Sequence, residues 1–124
     1  MMFIWITFTG MIGALCRFFL DFWLTERLTN GLPWSTFVIN VTGSFLVGAA
    51  WAVYQLSSSS ETLAYIAMTG FLGAFTTFST FTIQWFFDAA KRNFAIATTY
   101  ILLSILAGII VAIAGYYMVK LILF

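Results

Sequence analysis

Histidine is absent from the chain, cysteine occurs once, at Cys16, and proline once, at Pro33. With no imidazole and a single thiol, one chain cannot build a disulfide, a thiolate cluster or a His-based metal site. Charge is almost as scarce: five Lys and Arg against four Asp and Glu, 7% of the residues, for a formal net charge of +1. That balance offers no basic stripe for nucleic acid and no field that would draw an acidic substrate. Asp21, Glu26, Glu61 and Asp88 all stand near the ends of apolar stretches or between them. The intramembrane carboxylate that proton-coupled cation export requires is therefore missing. No carboxylate pair or nucleophile-and-base set exists either, and no phosphate-cradling glycine loop. The chain reads as something other than an enzyme or a pump.

What the chain has in excess is apolar and aromatic surface, 63% and 20% of its 124 residues. This is the composition of an integral membrane protein, and the length suits one domain over residues 1–124. A membrane-crossing helix needs about 20 mostly apolar residues. Four stretches qualify, 2–22, 34–56, 63–87 and 94–123, so the expected fold is all-α with four transmembrane helices. The first lacks a basic leading region and is read as a retained span. Residues 25–33, with Asn30-Gly31 and Pro33, carry a turn signal, and the serine run 57–60 offers an N-cap before Glu61. Segment 88–93, with Lys91 and Arg92, is the clearest aqueous loop. Arg27, Lys91 and Arg92 lie on one side and Lys120 on the other, a small bias toward termini outside of the size that a protein inserting in both orientations, or any small protein with short loops, would show. There is no internal repeat, so inverted symmetry would have to arise between chains.

The organising stretch is Gly70 to Phe81, Gly-Phe-Leu-Gly-Ala-Phe-Thr-Thr-Phe-Ser-Thr-Phe. Two glycines and the hydroxyls of Thr76, Thr77, Ser79 and Thr80 have no use on a lipid-facing helix. Either the third helix breaks near residues 73–77 and turns carbonyls and hydroxyls toward an ion or a partner chain, or it runs on and uses small residues for packing. Phe78 and Phe81, at i and i+3, share a face; they are core or lipid-facing rings, or rings whose positive edges line an anion path. Asn40 in the second span either pins two helices or donates to a passing anion. Arg17 either snorkels with Asp21 at i+4 or forms an electropositive vestibule. Tyr100 and Ser104 make one polar stripe on the fourth span, for packing or for a pore. Gly10 with Gly13, and Gly43 with Gly48, suit close helix approach, and Cys16 reads as a small packing residue.

Four pieces in order, Gly10-x-x-Gly13-x-x-x-Arg17, Asn40-x-x-Gly43-Ser44-Phe45, Gly70-x-x-Gly73 with Thr76-Thr77-Phe78-Ser79-Thr80-Phe81, and Tyr100-x-x-x-Ser104, make the whole chain resemble the Fluc or CrcB family of small fluoride channels. The resemblance implies an antiparallel, dual-topology homodimer with two pores along its interface, exporting cytoplasmic fluoride passively across the inner (plasma) membrane. It implies Phe78 and Phe81 as an aromatic box and Asn40 as an amide donor to the ion. Gly73 and Thr76 would present backbone carbonyls at a helix break, and both copies together would hold one central structural sodium ion. Ser79, Thr80, Tyr100 and Ser104 would continue the polar path, with Arg17 at a vestibule. The chain departs from the family pattern at Thr82 and Gln84, where relatives carry Ser and an acidic residue, which leaves one pore mouth open to question. Two alternatives are a small dual-topology multidrug antiporter, which needs a glutamate that residues 2–22 lack, and a non-conducting membrane subunit held in a larger complex.

Overall fold

The computed structural model describes residues 1–28, 33–56, 60–91 and 94–123. All regular structure among them is helical: α1 (Met2–Arg27), α2 (Trp34–Leu56), α3 (Glu61–Tyr65), a π-helical segment (Ile66–Leu72), α4 (Gly73–Phe75), α5 (Phe78–Lys91) and α6 (Phe94–Leu123). Four helical runs are long and apolar enough to cross a membrane, the third being Glu61–Lys91 as a whole. The chain is thus a multi-pass membrane protein, and most of its large apolar side chains point outward, as a lipid solvent allows.

The first and third helical runs extend beyond the apolar windows of the sequence, whereas α2 and α6 coincide with theirs. α1 reaches Arg27 instead of stopping near residue 22, because the Arg27 guanidinium lies 4.5 Å over the Trp23 ring one turn back. Leu28 then closes the helix by donating its N–H to the Leu24 carbonyl at 2.8 Å. Ser60 precedes α3 without a side-chain cap; its carbonyl accepts instead from Leu63 and Ala64 at 3.0 and 3.2 Å. The turn at Asn30-Gly31, the serines at 57–59, and Arg92 lie outside the described residues.

Small residues set the helix pairings. The broadest contact runs between α2 and α6, where Gly48 faces the Ala112 carbonyl and Gly115 faces that of Phe45; a Cβ at either glycine would collide with main-chain oxygen. α1 lies along the π-helical segment with Gly13 against the Phe71 carbonyl and Gly70 against Thr9. The Thr9 hydroxyl donates to the Trp5 carbonyl of its own helix at 2.8 Å and also lies 3.2 Å from the Ile66 carbonyl of the wider helix beside it. The best-buried apolar cluster is small: Leu24, Ile39 and Phe75, with Leu20, Val38 and Phe71 against it. It lies where α1 and α2 meet the middle of the third span, and so braces that point.

There the polypeptide leaves helical geometry. Thr76 is extended, with φ −78° and ψ 157°, and α5 resumes only at Phe78.

Candidate functional site

In a continuous helix the Thr77 N–H would donate to the Gly73 carbonyl four residues back. Here it donates to Asn40 Oδ1 at 2.9 Å, and Asn40 Nδ2 donates in return to the Thr77 carbonyl at 3.1 Å. One amide from α2 thus takes both main-chain groups of the residue that joins α4 to α5. Thr77, 8% exposed, also caps α5: its Oγ1 accepts from the Thr80 N–H at 3.2 Å and donates to Thr80 Oγ1 at 3.1 Å, with Ser79 Oγ at 3.4 Å. The Oγ1-to-N3 bond is that of an ordinary N-cap. In a capping box a side chain at the third helical position returns to the cap's N–H; Asn40 does this from another helix. On the other side of the gap, Thr76 Oγ1 and N–H both donate to the Leu72 carbonyl at 3.1 Å. Sites where irregular backbone meets apolar surroundings need such partners, because an orphaned amide in hydrocarbon costs several kcal/mol, on the order of the whole loss of a hydrogen bond.

A cavity of about 450 Å³ opens beside this junction. Asn40 and Ser44 line it from α2, Thr76 and Thr77 from the junction, Phe78 and Phe81 from α5, and Ser104 from α6. No ionisable side chain faces it among the described residues. The N-terminal end of α5, fourteen residues long, opens at Phe78 on the same cavity, so the positive end of its dipole adjoins the space. Phe81 is 7% exposed and Phe78 78% exposed, with ring centroids 6.4 Å apart; one ring is built into the protomer and the other stands out from it.

From Phe81 a line of rings continues toward the Pro33 end of α2. Phe81 lies 6.3 Å from Tyr100, and Tyr100 lies 6.4 Å from both Phe37 and Trp34. The Tyr100 hydroxyl donates to the Pro33 carbonyl at 2.8 Å, and Ser104 Oγ donates to the Tyr100 carbonyl at 2.7 Å.

Of the residues singled out in the sequence, Asn40, Thr76, Phe78, Phe81 and Ser104 meet at this cavity. Ser79, Thr80, Tyr100, Arg17 and Gly73 are not among its lining residues. Ser79 and Thr80 belong to the cap, and Tyr100 ties α6 to the start of α2. Gly73 is on the protomer surface, and among the described residues half-buried Arg17 makes no ion pair with Asp21. Sequence reasoning passed over Phe37 and gave Thr77 no part of its own. Phe37 stands three residues before Asn40 and therefore on its face of α2, and the Thr77-x-x-Thr80 spacing is a cap signal visible without coordinates. Gln84, one of the departures from pattern, keeps its Oε1 buried with no hydrogen-bond partner among the described residues, as does Thr98 Oγ1 on α6.

Residues 4–116 match the family model described as CrcB-like protein, Camphor Resistance (CrcB). A protein of Leptospira interrogans named Fluoride-specific ion channel FluC is 36% identical over 116 residues, 93% of this chain and 91% of its own length. One of Acidobacterium capsulatum with the same name is 37% identical over 116 residues, 93% of each chain. A third, Fluoride-specific ion channel FluC 2 of Clostridium acetobutylicum, is 38% identical over 111 residues, 88% of this chain and 86% of its own length.

Proposed function

This chain belongs to the CrcB family, and on that premise we propose that it is a fluoride-selective channel of the inner membrane, passing the anion down its electrochemical gradient and out of the cytoplasm. The observation that carries the reading is the uncharged cavity at the α4–α5 junction, where an amide, hydroxyls, two phenylalanine rings and a helix N-terminus converge. Fluoride holds its water tightly. A path that replaces water with donors and positive ring edges, without a cationic side chain in its wall, recovers part of that hydration and gives no advantage to larger halides.

Each lining group has a defined capacity. An amide NH₂ has two hydrogens; Asn40 commits one to Thr77 and keeps one to offer to an ion. Buried Phe81 is the fixed wall and outward Phe78 the one that a second protomer would help to enclose. Ser104 donates to its own helix and would have to release that bond to serve an anion. Ser79 and Thr80 act first on the shape of the junction, and Tyr100 hands the ring line toward Trp34 and Phe37. Arg17 raises the potential at a mouth without entering the narrow part.

The interruption between α4 and α5 is read as the functional break of the third span, and the oppositely oriented second copy as its complement. Diverting the Thr77 N–H to Asn40 leaves the Gly73 carbonyl without its helical donor on an exposed face. Gly73 and Thr76 carbonyls are hard oxygen donors of the kind a sodium ion takes, so paired copies have the donor set for a structural sodium. Bound there, the cation offsets part of the cost of bringing an anion into a low-dielectric region.

Liposomes loaded with potassium fluoride or potassium chloride test the reading once valinomycin releases the potassium. The expected result is rapid fluoride loss and retained chloride. Equal loss of both anions would mean an unselective pore, and retention of both would favour a non-conducting subunit.

A further inference from the structure

A second cavity, of about 220 Å³, lies at the other end of α2, between that helix and the start of the third span. Trp51 and Tyr54 from α2 and Glu61, Tyr65, Met68 and Thr69 from the third span line it. The Trp51 and Tyr54 rings are 5.5 Å apart and inclined by 47°, and the Tyr54 hydroxyl makes a long contact of 3.4 Å to Glu61 Oε1, which puts the carboxylate beside the aromatic wall. Among the described residues no Lys or Arg pairs with Glu61. A carboxylate in the first turn of α3 suits the helix dipole, and tryptophan and tyrosine are common at membrane boundaries. Neither tendency calls for a cavity whose lining joins this carboxylate with three aromatic side chains and a thioether.

We propose that this cavity binds an ammonium group. Ring faces are negative and attract cations, most strongly from tryptophan, and a carboxylate supplies the matching charge. The same features reject anions, so this site is chemically opposite to the cavity at the α4–α5 junction. Its place at the end of two membrane helices puts it at the depth of lipid headgroups. The ammonium group comes from a phosphatidylethanolamine headgroup or from a free small ammonium ion; the recognition chemistry is shared.

Native mass spectrometry of protein extracted from mixed phosphatidylethanolamine and phosphatidylglycerol bilayers tests the headgroup source, and titration with tetramethylammonium in phosphatidylglycerol vesicles tests the free ion. Preferential retention of phosphatidylethanolamine identifies the lipid source, and saturable tetramethylammonium binding without that retention identifies the free ion. In either case Glu61→Gln weakens the binding about tenfold, as loss of the charge partner of a cation–π site implies. Tyr54→Phe, which removes only the hydroxyl beside the carboxylate, weakens it less. Circular dichroism confirms that each variant is folded, and Trp51→Leu replaces Glu61→Gln if that variant is not. Absence of both kinds of binding, or binding unaffected by the folded variants, overturns the proposal.

Discussion

Asn40 faces two demands, because the amide that grips Thr77 also faces the cavity. Asn40→Ala removes two bonds at once, each worth about 0.5–1.5 kcal/mol net, and leaves main-chain groups in apolar surroundings. We expect a stability loss of about 1–3 kcal/mol in denaturant unfolding, together with loss of flux. Asn40→Asp keeps the acceptor for the Thr77 N–H but loses the donor and sets two oxygens against each other at the Thr77 carbonyl. It also adds a charge of the same sign as the permeant ion, so fluoride flux should vanish even in the fraction that stays folded; normal flux would restrict Asn40 to pinning helices. Phe81→Ile separates size from ring character at a buried position. It should nearly abolish fluoride efflux while the protein still dimerises on size-exclusion chromatography, and unchanged efflux would return the ring to packing. At this scale the sequence was informative about chemistry more than about contact. The amide, hydroxyls and phenylalanines stood out against an apolar background. That Tyr100 would spend its hydroxyl on Pro33, and not on the cavity, depends on how α6 approaches the start of α2, which no local pattern encodes.

The third span is the element on which the site depends, and its geometry comes from partners elsewhere in the chain. Thr77 caps α5 with its hydroxyl and is held by Asn40 through its main chain. Thr77→Val should cost about 1 kcal/mol, the usual value of an N-cap, and Thr77→Ser should restore it; equal unfolding midpoints for the two variants would show that the hydroxyl is dispensable. Helix pairing gives a second contrast. An alanine methyl at Gly48 would run into the Ala112 carbonyl, whereas at Gly10 the nearest atom, the Gly70 carbonyl oxygen, is 3.5 Å away. Gly48→Ala should therefore destabilise the protein by about 1–3 kcal/mol, as overpacking does, and Gly10→Ala should be nearly neutral. Four membrane helices were legible in the sequence because hydrocarbon imposes their length and polarity. The π-helical segment from Ile66 to Leu72 was not, since its bonding shift uses the same apolar residues as an α-helix and shows only in how α1 packs against it.

At the scale of the whole molecule, one protomer supplies half of what the proposed channel needs. Phe78 is 78% exposed, and Gly73 is on the surface. If paired copies hold a sodium ion through Gly73 and Thr76, exhaustive replacement of sodium by N-methylglucamine during purification should lower flux and loosen the dimer, and sodium should restore both. Five basic residues, most of them at helix ends, are too few for the sequence to fix an orientation. The proposed pores rest on one arrangement, inversion of the partner. It is tested most directly by placing one cysteine at Lys120 in a Cys16→Ser background, reconstituting the dimer in sealed liposomes and adding a membrane-impermeant maleimide from outside. Lys120 closes the last turn of α6, so inverted copies present it on opposite faces of the bilayer. Native mass spectrometry should then find dimers carrying a single label. A mixture of doubly labelled and unlabelled dimers would mean that the two copies run parallel, and would contradict it.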